Sequence, residues 1–102
     1  MPEMRFRIAW PDGRQEECYS PSLVVCDYFA EGTAYPLDDF MGRARAALTI
    51  ASDRVAAKYG RPCGLALGQL ARLEAGAAPF RDTPQATVTC LALLTPDQGS
   101  RR

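Results

Sequence analysis

Tyr28, Phe29 and Tyr35 flank a short stretch, Ala30 to Pro36, that holds Gly32 and ends at Pro36. With Asp27, Asp39 and Arg43 they can wall a small pocket in which phenols, a carboxylate and a guanidinium converge on one ligand. Loop anchoring and core packing compete for the same residues. Cys63 follows Pro62 at the start of a helical pattern, where a thiol can lose its proton more readily and react as a thiolate. The chain has no histidine, so no imidazole stands by as its base, and an inert place on the core stripe is the competing role. The same absence removes a histidine dyad, an imidazole-held metal and a histidine pH switch from a single chain. Cys18, Cys26, Cys63 and Cys90 lie far apart with no CxxC pair, which argues against a zinc site. Asp38 and Asp39 are adjacent and point about 100° apart on a helix, which suits the helix dipole better than a shared metal. Gly60, Gly64 and Gly68 precede no Lys-Ser/Thr, and neither a GxSxG elbow nor a dinucleotide fingerprint occurs. No metal and no cofactor are expected.

Charge and length bound the rest. The 102 residues carry twelve basic and twelve acidic side chains, are 47% hydrophobic, and sum to zero net charge. One domain over residues 1–94, with a polar tail over 95–102, is the expected organisation. The balanced field favours neither nucleic acid nor an anionic membrane. No run approaches the roughly 18 apolar residues of a membrane span, and Glu3, Arg5, Arg7 and Asp12 interrupt any apolar signal core. A reduced, cytoplasmic setting is expected, with the cysteines as small hydrophobes.

Several elements must position these groups. Met4, Phe6, Ile8 and Trp10 alternate with Arg5, Arg7 and Ala9, the period of a strand with one buried face. Pro11, Asp12 and Gly13 then form a hairpin loop closed by Trp10 and Arg14, because proline presets the turn and glycine accepts its left-handed position. Counting outward pairs Ile8 with Glu16, Arg7 with Glu17, Phe6 with Cys18 and Arg5 with Tyr19. Ser20 and Pro21 read as the start of a short helix to Phe29, with a third strand as the competing reading because Val24 and Val25 are β-branched. Ala30 to Pro36 reads as a loop. Leu37, Phe40, Met41, Ala44, Leu48, Ala51, Val55 and Tyr59 share one side of a long helix that Gly60 stops. A third helix runs from Pro62 to about Ala78 with Cys63, Ala66, Leu67, Leu70, Leu73 and Ala77 inward. Ala86 to Leu94 is the last strand, with Val88, Cys90, Ala92 and Leu94 on one face and Leu91 and Leu93 on the other.

These elements predict an α+β fold: a small antiparallel three-stranded sheet, in the order β-β-α-α-α-β, with helices packed on one face and the last strand beside the first. Leu91 and Leu93 on the outer sheet face, and Ile50 between alanines on the far side of the long helix, are candidate contacts of a homo-oligomer.

The runs Met1 to Gly13 (MPEMRFRIAWPDG), Glu17 to Pro21 (ECYSP), Asp27 to Phe29 (DYF), Tyr35 to Phe40 (YPLDDF) and Leu48 to Gly60 (LTIASDRVAAKYG) resemble a family of small bacterial nitrogen-starvation response proteins. The similarity spans residues 1–94. It implies expression under nitrogen limitation and a gene cluster with a nitrilase, a radical enzyme, an acetyltransferase and a flavoprotein, linked to nitrile or cyanide assimilation. No catalytic residue carries over from it. The expectation is a non-enzymatic accessory or interaction subunit whose partners are further copies of itself and an enzyme of that nitrilase-containing cluster. The alternative is a small-molecule binder or enzyme with its site near the Tyr28–Tyr35 loop, completed across an oligomer interface.

Overall fold

A computed structural model describes residues 3–61 and 63–96 of the chain. Strands β1 (Met4–Ala9) and β2 (Gln15–Ser20) form the expected hairpin, and Ile8–Glu16, Arg7–Glu17, Phe6–Cys18 and Arg5–Tyr19 pair as the turn requires. Trp10 donates its N–H to the Arg14 carbonyl at 2.8 Å. Gly13 takes φ of 88° in the turn. The inward residues Met4, Phe6, Ile8 and Trp10 are all buried.

The expected helix over residues 21–29 is instead a 3-10 turn, Leu23–Asp27, capped by the Ser22 hydroxyl, which accepts from the Val24 N–H. Its β-branched pair Val24 and Val25 is buried, so packing holds a short turn that helix propensity would not extend. The expected loop contains a strand, β3 (Thr33–Pro36). Only Tyr35 of its side chains turns inward, and four residues are too few to show a period. Pairing with the last strand makes it a strand. The sheet therefore has four strands rather than three, in the order β2-β1-β4-β3, and the α+β class stands with two α-helices instead of three.

Helix α1 (Leu37–Tyr59) begins with Asp38 and Asp39 in its first turn and ends at Gly60, whose φ is 87°. Tyr59, expected on the core stripe, is 63% exposed at the last turn. Helix α2 (Gly64–Ala77) buries Ala66, Gln69, Leu73 and Ala77. Cys63 sits just before it as the N-cap, half-buried, rather than on the core stripe, and Leu67 is 46% exposed. Pro62, expected to open this helix, lies outside the described residues, as do residues 97–102 of the expected tail.

Strand β4 (Thr87–Leu94) pairs with β1 and β3, and here one residue changes the reading. The register shifts between Arg7 and Ile8, so that Ile8 faces Cys90 and Arg7 faces Ala92. Leu91 is the extra residue of a bulge, and a bulge exchanges the faces beyond it. Leu93 consequently pairs with Phe6 and packs on the core. Ala92 and Leu94 move to the outer face opposite Arg7 and Arg5. The expected outward pair Leu91 and Leu93 is thus replaced by Leu91 and Leu94, each 37% exposed. Both helices cover the face that carries Phe6, Ile8, Val88 and Cys90.

Candidate functional site

Of the residues expected to wall a pocket, Tyr28, Tyr35, Asp39 and Arg43 meet, and Arg43 is their centre. Tyr28 ends the 3-10 turn, Tyr35 lies on β3, and Asp39 and Arg43 lie one turn apart on α1. The Arg43 side chain donates to both Asp39 carboxylate oxygens at 3.2 and 3.1 Å and to the Tyr28 carbonyl at 2.8 Å. Its guanidinium lies 4.9 Å from the centre of the Tyr35 ring. The Tyr35 hydroxyl accepts from the Ala30 N–H at 2.9 Å. These contacts tie the segment between the 3-10 turn and β3 to α1, so the cluster acts as a clasp whose polar atoms engage one another.

A second group of residues forms an open cleft of about 370 Å³ between the edge strand β2 and helix α2. Leu65, Gln69 and Arg72 form its helix wall, and Glu3, Arg5, Glu17 and Tyr19 its strand wall, with Cys18 below. The Gln69 side chain is 1% exposed. Its Oε1 accepts from the Tyr19 N–H at 3.0 Å and from Arg72 Nη2 at 3.1 Å. Turning the amide over would set Nε2 against both donors, so the orientation follows from the network. Nε2 then has no acceptor among the described residues. A buried donor left in that state costs about 1–3 kcal/mol.

On the strand wall, Glu17 accepts from Arg7 at 3.1 Å and lies 3.8 Å from Arg5. Arg5 stacks over the Tyr19 ring at 5.1 Å. Burial, the Glu3 carboxylate and Cys63 together push the Tyr19 hydroxyl up from its ordinary 10.0, which keeps it neutral. Sequence reasoning missed this cleft. The available signal was Gln69 itself, an amide spaced three residues after Ala66 and four before Leu73, on a stripe where every other inward residue is apolar.

The thiols divide by burial. Cys63 donates its backbone N–H to the buried Ser52 hydroxyl at 3.1 Å, which fastens the start of α2 to α1. Cys26 is exposed and its Sγ lies 3.8 Å from the Met4 sulfur. Cys18 and Cys90 are buried. Burial, with Glu31 adding to it, pushes the Cys90 thiol from 9.0 up to about 11. Burial and then Glu16 push Cys18 up further. Because the folded value is raised, the stabilisation is complete below pH 9 and is lost as the pH climbs toward the folded value, where only the unfolded chain has already ionised. Cys90 alone should cost about 1.4 kcal/mol of stability at pH 10 relative to pH 8. Urea unfolding at the two pH values, repeated on Cys90→Val, checks this through a shallower pH dependence in the variant.

Of the expected oligomer contacts, Ile50 is half-buried on α1 and Leu91 is exposed at the bulge, while Leu93 has turned inward. Among the described residues, no group of three or more Cys, Asp or Glu side chains could hold a metal ion, and no helix is long and apolar enough to cross a membrane. A family model described as nitrogen starvation-induced protein NitG matches residues 5–93. No curated protein and no solved structure matches the chain.

Proposed function

The chain belongs to the nitrogen starvation-induced protein NitG family, and from that premise we propose that it is a non-enzymatic accessory subunit of bacterial nitrogen scavenging, working in nitrile or cyanide assimilation by contact with other proteins. The supporting observation is the division of the outer sheet face. Its β1–β2 half carries Arg5, Arg7 and Glu17 in mutual contact, which water solvates readily. Its β4 side presents Leu91 and Leu94 beside Ala92. An antiparallel sheet can leave a polar face in water, but an apolar strip on that face gains from being covered.

A second copy of the chain is the first occupant of this strip, because zero net charge removes the long-range repulsion between copies. An enzyme of the nitrilase-containing cluster is the second. The cytoplasm belongs to the same reading, since Cys18, Cys26, Cys63 and Cys90 are all free thiols. Sedimentation equilibrium at high micromolar concentration should give a dimer or larger species that Leu91→Glu with Leu94→Glu returns to monomer. A wild-type monomer under those conditions overturns self-association. Affinity purification from nitrogen-starved cells should retrieve a cluster enzyme, and empty recovery with normal growth on a nitrile after gene deletion overturns the accessory role.

A further inference from the structure

The cleft between β2 and α2 carries an inference independent of the sheet face. We propose that it binds a small zwitterion, a free amino acid or a molecule like it with a carboxylate and a protonated amine a few atoms apart. Three observations converge there. The first is the Gln69 amide, which is 1% exposed, is held in one orientation by two donors to its Oε1, and has an Nε2 without an acceptor among the described residues. A ligand oxygen is what that group lacks.

The second is the way charge is divided between the walls. The helix wall brings the Arg72 guanidinium beside Gln69, so it offers only donors and one positive charge. The strand wall brings the Glu3 and Glu17 carboxylates. Glu17 is already engaged by Arg7 and Arg5, and Arg5 also stacks on the Tyr19 ring, so Glu3 is the carboxylate on this wall without an ion pair among the described residues. With Glu17 held by two arginines, the cleft sets one cation, Arg72, on the helix wall against one carboxylate, Glu3, on the strand wall. This arrangement orients a dipolar molecule, carboxylate toward Gln69 and Arg72, ammonium toward Glu3. The third is size and lining. A volume of about 370 Å³ lies within the ordinary range of about 300–1,000 Å³ for small-molecule sites. Leu65, 68% exposed at the rim, gives an aliphatic side chain something to cover.

Nitrogen-15 heteronuclear NMR reads this directly, because the Gln69 side-chain amide and the Tyr19 backbone amide are both reporters at the site. L-leucine, 4-methylpentanoate and 3-methylbutylamine serve as probes: the zwitterion and each charged half alone. L-leucine should give saturable shifts of both reporters, and each half-molecule should bind at least about tenfold more weakly. Arg72→Met alters an exposed side chain and should weaken L-leucine by a similar factor. Gln69→Glu keeps the acceptor for Tyr19 but replaces the free donor with an anion, and should abolish binding. If Gln69→Glu does not fold, Arg72→Met decides. Absence of saturable shifts at these two reporters with L-leucine overturns the proposal, and so does 4-methylpentanoate binding as tightly as L-leucine, or full affinity in Arg72→Met.

Discussion

Phe40→Ala should remove about 3–5 kcal/mol of folding stability. Phe40 enters from the first turn of α1 and is 0% exposed. Its ring lies 5.2 Å from Phe29 and 6.1 Å from Trp10, which it meets edge-on at 69°. Phe29 in turn touches Tyr35 and Phe6 at 5.4 and 6.1 Å. The ring is thus tied to the segment after the 3-10 turn through Phe29 and to the hairpin end through Trp10, and Phe29 passes the contact on to β1 and β3. Phe29 and Trp10 cannot collapse into the vacated space without leaving their own aromatic contacts, so the cavity persists and its cost adds to the lost transfer energy. Against a total of about 5–15 kcal/mol for an ordinary domain, the variant sits near the limit of folding. Urea denaturation should show a lower midpoint with an unchanged slope. A loss below about 1 kcal/mol would mean that the aromatic cluster repacks freely.

How far the residues announced this arrangement depends on the range of the forces involved. The hairpin register was legible because a Pro-Asp-Gly loop and a period of two are local, and Arg7 meets Glu17 at 3.1 Å as counted. Helix α1 was legible for the same reason, through its apolar stripe, its acidic first turn and Gly60. The clasp was half legible. The spacing of Tyr28, Tyr35, Asp39 and Arg43 places them around one loop, but that the arginine satisfies the Tyr28 carbonyl depends on how the loop packs on α1. Strand β3 and the β4 bulge were not legible, since each exists through pairing with a distant strand. One extra residue, Leu91, reversed the expected faces of Ala92, Leu93 and Leu94, a change no periodicity within β4 reveals. Beyond β3, the Leu93 N–H is taken up by the Glu31 carboxylate at 2.6 Å, another long-range substitution for a missing strand partner. Gln69 was visible as a polar residue on an apolar stripe, yet only the fold sets it against the β2 edge.

Close approach of backbone to ring gives the other large effect. Gly76 lies on α2 directly over the indole of Trp10, and a β-carbon there would stand 2.6 Å from Cζ2 and 3.0 Å from Cη2. The ring has little room to retreat. Its Nε1 donates to Glu16 at 2.9 Å, Phe80 stacks on it at 6.4 Å, and Phe40 holds its edge. Glycine to alanine inside a helix ordinarily gains up to about 1 kcal/mol. Here overpacking dominates, and Gly76→Ala should destabilise by about 1–3 kcal/mol. Gly42, in the middle of α1 with nothing within 4 Å of its added β-carbon, provides the opposite case: Gly42→Ala should stabilise by up to about 1 kcal/mol. Thermal unfolding of the two variants should therefore move in opposite directions. Combining Gly76→Ala with Trp10→Leu should recover a large part of the first loss, because the smaller side chain vacates the space the methyl needs. A double-mutant cycle with no coupling between the two sites would remove the steric explanation. A favourable coupling above about 1 kcal/mol would establish that the indole, rather than helix propensity, dictates glycine at this position.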